Sequence, residues 1–180
     1  MPLLPKEVDL FPDELFSLAA PWLVAHVRSR QEKVLGRHLV EQGIGFYLPL
    51  AEAKRRRAGR TFTSYSPLFN GYVFLRAGRE RRADILRSGV IANLIEVPDQ
   101  QQFGEELLQI RRLQLSGASL TPYDQLVPGD PVRIDSGAFR GYTGVVVREK
   151  ANERLIVRIS LLHQAVAVEL DREVVSRGRR

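Results

Sequence analysis

Few residues of this chain are arranged for covalent chemistry. The three histidines, His26, His38 and His163, are scattered, with no acid at triad or metal-ligand spacing beside them. There is no cysteine, so neither a disulfide framework nor a thiolate zinc site can form. No glycine-rich phosphate loop and no nucleophile elbow occur, and the chain offers almost no titratable cluster for acid–base work. These observations point away from an enzyme, a metal site or a bound cofactor. What the residue types do suit is recognition. Lys54-Arg55-Arg56-Arg57 and Arg60 place five bases within seven residues. Such a run either contacts phosphate or forms a solvated tip. The stretch Leu68-Phe-Asn-Gly-Tyr-Val-Phe-Leu-Arg76 is aromatic on both sides of a period-two alternation: Phe69, Val73 and Leu75 on one, Asn70, Tyr72, Phe74 and Arg76 on the other. Helices can cover one of those faces. The other is either covered by the linker or the N-terminal extension, or is an apolar patch rimmed by arginine that binds protein.

The charge distribution agrees with a polyanion partner. The net charge is +6, but residues 1–20 carry four acids against one base, residues 21–123 sixteen bases against nine acids, and residues 124–180 ten bases against eight acids. The positive excess therefore sits in the middle of the chain, where it attracts polyanions or serves solubility. The acidic N-terminal segment is unlike a secretory signal, and no apolar run reaches the length of a membrane span. The expectation is a monomer in the cytoplasm.

The elements that must position these residues follow from periodicity. Trp22 to Val27 reads as a strand entered through Pro21. A helix follows with Val34, Leu35, His38 and Leu39 as its apolar side and Glu32, Lys33, Arg37 and Glu41 opposite, ended by Gly43 and Gly45. Phe46–Leu50 is a strand, 52–66 a basic hairpin turning near Ala58-Gly59, and Leu68–Arg76 a third strand. Arg81–Ser88 is a short helix, Val90–Val97 a fourth strand and 104–115 a helix. The order β-α-β-β-α-β-α predicts an α+β domain on an antiparallel sheet. Residues 116–127 are turn-rich and read as a linker. Beyond them every segment is a short strand: 132–134, 143–148, 155–160, 165–170 and a last one near 173–175.

Gly129, Gly137, Gly141 and Gly144 punctuate the first of those strands. Glycine takes positive φ or lets two backbones approach closely, so four of them between β-branched pieces describe strands bending hard into a very small barrel. The three later glycines, together with Val145-Val146-Val147, Ile156-Val157 and Val166-Ala167-Val168, argue against a helical hairpin here.

The spacing G-D-x-V-R-I-x-x-G-x-F-x-G-x-x-G-x-V over 129–146 resembles the KOW motif of NusG-type transcription factors and some ribosomal proteins. Trp22-Leu-Val-Ala-His-Val, Glu32-Lys33, Tyr47-Leu-Pro49, Pro67 to Leu75 and Gly89-Val90 resemble, in order, the amino-terminal domain of NusG. Asn70 stands where the family has a proline. Ser119 to Tyr123 and Ser160 to Glu169 look more like the specialised RfaH-like and UpxY-like paralogs, since housekeeping members have Phe-Gly-Arg where this chain has Leu162-His163-Gln164. The resemblance implies an extension over 1–20, a NusG-type domain over 21–115, a linker over 116–127 and an SH3-like KOW barrel over 128–176.

It also implies roles. Tyr72 and Phe74, with Leu94 as a wall, match a pocket for the clamp helices of the largest RNA polymerase subunit. Arg28, Arg30 and Arg87 match positions that meet the non-template DNA strand, and Arg55 and Arg56 lie in a hairpin near DNA. Tyr142, with Leu161 and Leu162 at its border, matches the KOW contact with Rho or a small-subunit ribosomal protein. The His-Thr-Thr motif of RfaH is missing from the segment of Arg79, Arg81 and Arg82. The implied function is a specialised antitermination factor. Its alternatives are a housekeeping NusG that couples polymerase to Rho or the ribosome, and an RNA-binding ribosomal-type KOW protein.

Overall fold

The computed structural model describes residues 8–57, 59–123, 131–135, 137–149 and 152–170. The chain divides into two compact units, Met1–Gly104 and Glu105–Arg180.

In the first unit, β1 (Leu10–Phe11), β2 (Trp22–Val27), β3 (Gly45–Tyr47), β6 (Tyr72–Arg76) and β7 (Ile91–Glu96) form an antiparallel sheet in the order β1-β3-β6-β2-β7. Between β3 and β6 the chain leaves the sheet as a separate two-stranded ribbon, β4 (Leu50–Arg57) and β5 (Arg60–Pro67). Helices α1 (Glu32–Glu41) and α2 (Arg82–Leu86) cover one face, where Leu35, Leu39 and Ile85 pack with Ala25, Val27, Val73 and Leu75. This is the expected α+β domain with an antiparallel sheet.

Four local expectations shift. The strand over 68–76 begins only at Tyr72, because residues 69–71 turn, with Gly71 at φ 81 and the Tyr72 N–H donating to Phe69 O at 3.2 Å. The buried side of α1 is Glu32, Leu35, Gly36 and Leu39, while Val34 is exposed. Helix α3 (Gln100–Leu115) starts four residues earlier than its periodicity suggests. The Asp99 carboxylate accepts the Gln102 N–H at 2.9 Å, the bond of an N-cap, and this stabilises the extra turn. Finally, the extension has a place. β1 pairs with β3 at the sheet edge, a 3₁₀ turn at Leu15–Ser17 buries Leu15, and the Arg76 guanidinium donates to the Leu18 carbonyl while lying 4.7 Å over the Trp22 ring.

The second unit is all-β beyond α3. β8 (Leu120–Tyr123), β9 (Val132–Arg133), β10 (Thr143–Glu149), β11 (Asn152–Ile159) and β12 (Gln164–Leu170) form an antiparallel sheet in the order β8-β12-β11-β10-β9. Within the stretch 116–127, expected to be a linker, residues Leu120–Tyr123 form β8. Leu120 is buried and Tyr123 packs on the core of Val145, Ile156, Ala165 and Ala167. Pro122, which has no N–H to donate, is tolerated because β8 is an edge strand. The strand expected near 173–175 and the glycine at 129 lie outside the described residues. Two of the motif glycines have distinct reasons. Gly141 sits at φ 89. A Cβ on Gly144 would lie 2.4 Å from the Ile156 carbonyl oxygen, so the two backbones could not pair.

Candidate functional site

The face of the first sheet away from α1 and α2 carries Trp22, Val24 and His26 of β2 and their partners Arg76, Phe74 and Tyr72 of β6. One end of this face is closed. Phe16 packs on Trp22 and Tyr47 at centroid distances of 5.5 and 5.7 Å, and Phe103 on Trp22 and Phe74 at 6.1 and 5.7 Å. Phe69 joins Phe74 at 5.5 Å, so it belongs to this face and not to the opposite one. The Gln100 carboxamide clasps the start of β2: its Oε1 accepts the Trp22 N–H at 2.6 Å and its Nε2 donates to the Trp22 carbonyl at 3.0 Å.

Two of the expected contact residues are buried. Phe74 is 0% exposed and forms the centre of this aromatic cluster. The cover comes from the extension and from Phe103, large apolar groups that gain more by packing on Phe74 than by remaining in water. Leu94 is cross-strand partner of Ala25 and belongs to the core under α1 and α2, the opposite side from Tyr72. On Tyr72's side, β7 offers Asn93 beside His26 and Ile95 beside Val24.

The other end of the face is open. Tyr72 is half-buried, its ring stacked on His26 at 5.0 Å and 23°. The Val27 N–H donates to Gly71 O at 2.8 Å and the Arg28 N–H to Val90 O at 3.0 Å. These bonds bring three segments to one rim: residues 26–30, the turn 69–72 and residues 87–91. Arg28, Arg30 and Arg87 are all exposed there. Arg30 takes a left-handed φ of 62 at the turn into α1. Exposed Arg87 lies 3.1 Å from half-buried Asp84, a partly solvated pair that contributes little net energy. Glu32, buried beside the rim, accepts the Gly71 N–H at 2.7 Å and locks the turn that presents Tyr72. Arg81 has a structural use: it donates to Asp84 at 3.0 Å and to Gln42 O at 2.6 Å.

The sequence assigned His26 no role and set Glu32 opposite the apolar side of its helix. The signal for His26 was present in the alternation from Trp22 through Val24. For Glu32 the helical phase needed to be set by Leu35 and Leu39, not by Val34. In the ribbon, Lys54 and Arg56 are exposed, and Arg55 stands opposite Phe62. The ribbon and the rim are separate surfaces in sequence and in sheet pairing.

In the second unit Tyr142 is half-buried against Phe139, rings 6.0 Å apart and edge to face. Burial pushes its hydroxyl above the usual phenol range, an effect that nearby Arg112 partly offsets. Leu161 and Leu162 are half-buried in a single 3₁₀ turn, followed by His163 at φ 52. Among the described residues no group of three His, Cys, Asp or Glu side chains could hold a metal ion, and no helix is long and apolar enough to cross a membrane.

Residues 20–112 match the family model described as NusG, transcription termination factor nusG. The transcription termination/antitermination protein NusG of Yersinia pestis is 29% identical over 138 residues, 73% of this chain and 76% of the relative. Its counterpart from Escherichia coli strain K12 is 29% identical over 131 residues, 69% and 72% of the two chains. Among solved structures, one described as domain interaction in Thermotoga maritima NusG aligns with a TM-score of 0.48 at 18% identity, covering 82% of this chain and 92% of that one.

Proposed function

Because this chain belongs to the NusG family of transcription termination/antitermination factors, we propose that it binds elongating RNA polymerase and suppresses pausing and termination of particular operons. The observation that carries this reading is the open end of the sheet, where the stacked His26–Tyr72 pair adjoins exposed Arg28, Arg30 and Arg87. An aromatic anchor beside arginines suits a protein helix and a nucleic-acid strand together. In this reading Tyr72 and His26 grip the polymerase clamp helices, and Phe74 is the buried platform that holds Tyr72's strand in place. Arg28, Arg30 and Arg87 meet the non-template strand, and Arg55 and Arg56 of the ribbon meet duplex phosphates.

The second unit acts as an SH3-like KOW barrel spanning residues 128–176 with β8 as an added edge. Its Tyr142, Leu161 and Leu162 receive a small-subunit ribosomal protein or Rho. The factor works in the cytoplasm as a monomer and needs no cofactor. Holding one polymerase conformation by a few kcal/mol is enough to change pause lifetimes tenfold or more, since about 1.4 kcal/mol is a factor of ten.

The specialised role is favoured over the housekeeping one by His163. Housekeeping members resemble Phe-Gly-Arg at this place, and the backbone here keeps the glycine-like conformation, φ 52, with a histidine in it. The pair of tests is a polymerase pull-down and a single-round pausing assay with the chain and its Tyr72→Ala variant. Shortened pauses with the wild type and none with the variant are expected. A wild-type chain that binds no polymerase overturns the reading.

A further inference from the structure

The turn that presents Tyr72 contains the only Asn–Gly pair of the chain, Asn70-Gly71. The Tyr72 N–H donates to Phe69 O at 3.2 Å, and Gly71 takes a positive φ of 81 that Asn70 does not share. These are the marks of a type II turn with Asn70 and Gly71 as its central residues. Asn70 is exposed. It stands where the family has a proline, a residue without a side-chain amide. Both main-chain groups of Gly71 are engaged. Its carbonyl accepts the Val27 N–H at 2.8 Å, and its own N–H donates to the Glu32 carboxylate at 2.7 Å. Glu32 is buried.

We propose that Asn70 is a self-modification site, converted to aspartate or isoaspartate when its turn opens, and that Glu32 is the residue that restrains the conversion. The Gly71 main-chain nitrogen, having lost its proton to solvent, attacks the Asn70 Cγ. The new C–N bond closes a succinimide, the Cγ–Nδ2 bond breaks, and Nδ2 takes up a proton and leaves as ammonia. Water then opens the imide at either carbonyl, giving aspartate or isoaspartate. Glycine favours the attack because no Cβ shields its nitrogen. The closed turn opposes it in two ways. Ring closure requires the Asn70–Gly71 peptide to rotate out of the type II geometry, with ψ about +120° at the first central residue, and the bonds at Gly71 resist that rotation. The attacking nitrogen must also become an anion beside the Glu32 carboxylate, which like-charge repulsion disfavours. Isoaspartate routes the main chain through the former side-chain methylene and so lengthens the turn that sets Tyr72 against His26. That this silences the rim rests on the reading that Tyr72 and His26 grip polymerase.

The test incubates the full chain in mildly alkaline buffer and follows residue 70 by peptide mapping, which separates the asparagine, aspartate and isoaspartate forms. A synthetic peptide of residues 66–76 gives the rate of the unrestrained Asn–Gly pair. The wild-type chain should convert more slowly than the peptide. Glu32→Ala should convert about tenfold faster than wild type, because a hydrogen bond to a charged group is worth about that factor in the balance of closed and open turns. Should that variant not fold, Glu32→Gln, a neutral acceptor of the same shape, is expected to fall between wild type and peptide. A wild-type chain as fast as the peptide, or a folded Glu32 variant no faster than wild type, overturns the proposal. Converted chain, separated by its added negative charge, should bind polymerase about tenfold more weakly than unconverted chain. Equal affinity overturns the silencing. An unconverted chain that binds no polymerase overturns the transcription reading alone, since conversion is measured without polymerase.

Discussion

The two ends of one sheet face behave differently although both are aromatic. At the end of Trp22 and Phe74 the rings are buried under Phe16 and Phe103. At the end of His26 and Tyr72 a single stacked pair is left half-open among arginines. The same residue types thus serve as core at one end and as recognition surface at the other. The difference lies in what the rest of the chain lays over them. The extension and the first turn of α3 reach one end, and at the other the chain supplies only short turns held by main-chain bonds.

The sharpest way to break that contrast is Phe74→Ala. A fully buried phenylalanine should cost the first unit about 3–5 kcal/mol on truncation, read by chemical denaturation. A loss below about 1 kcal/mol would mean that the aromatic end is not a packed core. The open end should respond in binding instead. Tyr72→Ala combined with His26→Ala is expected to weaken polymerase affinity by about 2 kcal/mol while changing stability by under about 1 kcal/mol. A folded double variant with unchanged affinity would take the site away from this rim.

Arg28→Ala and Arg87→Ala test the arginines beside it. Each should lower crosslinking to the non-template strand and reduce the salt dependence of binding by about one counterion. Their fold should hold, because Arg28 and Arg87 are both exposed and the Arg87–Asp84 pair is partly solvated. Crosslinking at the wild-type level in both variants would shift the DNA to the β4–β5 ribbon. The smallest expected effect is at Arg30. Its left-handed φ of 62 is a strain that glycine relieves. Arg30→Gly should therefore stabilise the first unit by under about 1 kcal/mol, since glycine also loosens the unfolded chain, and should still lose crosslinking. Destabilisation on this change would show that the arginine side chain holds the turn.

Much of this was legible from residue order. The strand at Trp22–Val27, the ribbon turning near Gly59, the helices after β2 and β6 and the all-β character of the second unit follow from period and punctuation alone. Strand 68–76 was read too long because Leu68 and Phe69 continue the apolar alternation. A turn closed by Gly71 at positive φ ended the pattern, and no periodicity reports that bond. β8 hid inside a turn-rich stretch because a four-residue edge strand with a proline in it has hardly any pattern to show.

Local chemistry determined which elements form: β-branched runs cannot give up rotamer freedom cheaply in helices, and Gly141 and Gly144 fix a bend and a close approach that other residues would obstruct. Only the tertiary structure decided that Phe74 is covered and Tyr72 is not, that Leu94 lies behind the sheet, and that Glu106 and Gln109 hydrogen-bond to Ser160 and Thr143. The physical reason is the same in each case. Exposure belongs to a residue's neighbours in space, and the neighbours here are separated along the chain by 29 positions for Phe74 and Phe103 and by 54 for Glu106 and Ser160, beyond the reach of any local pattern.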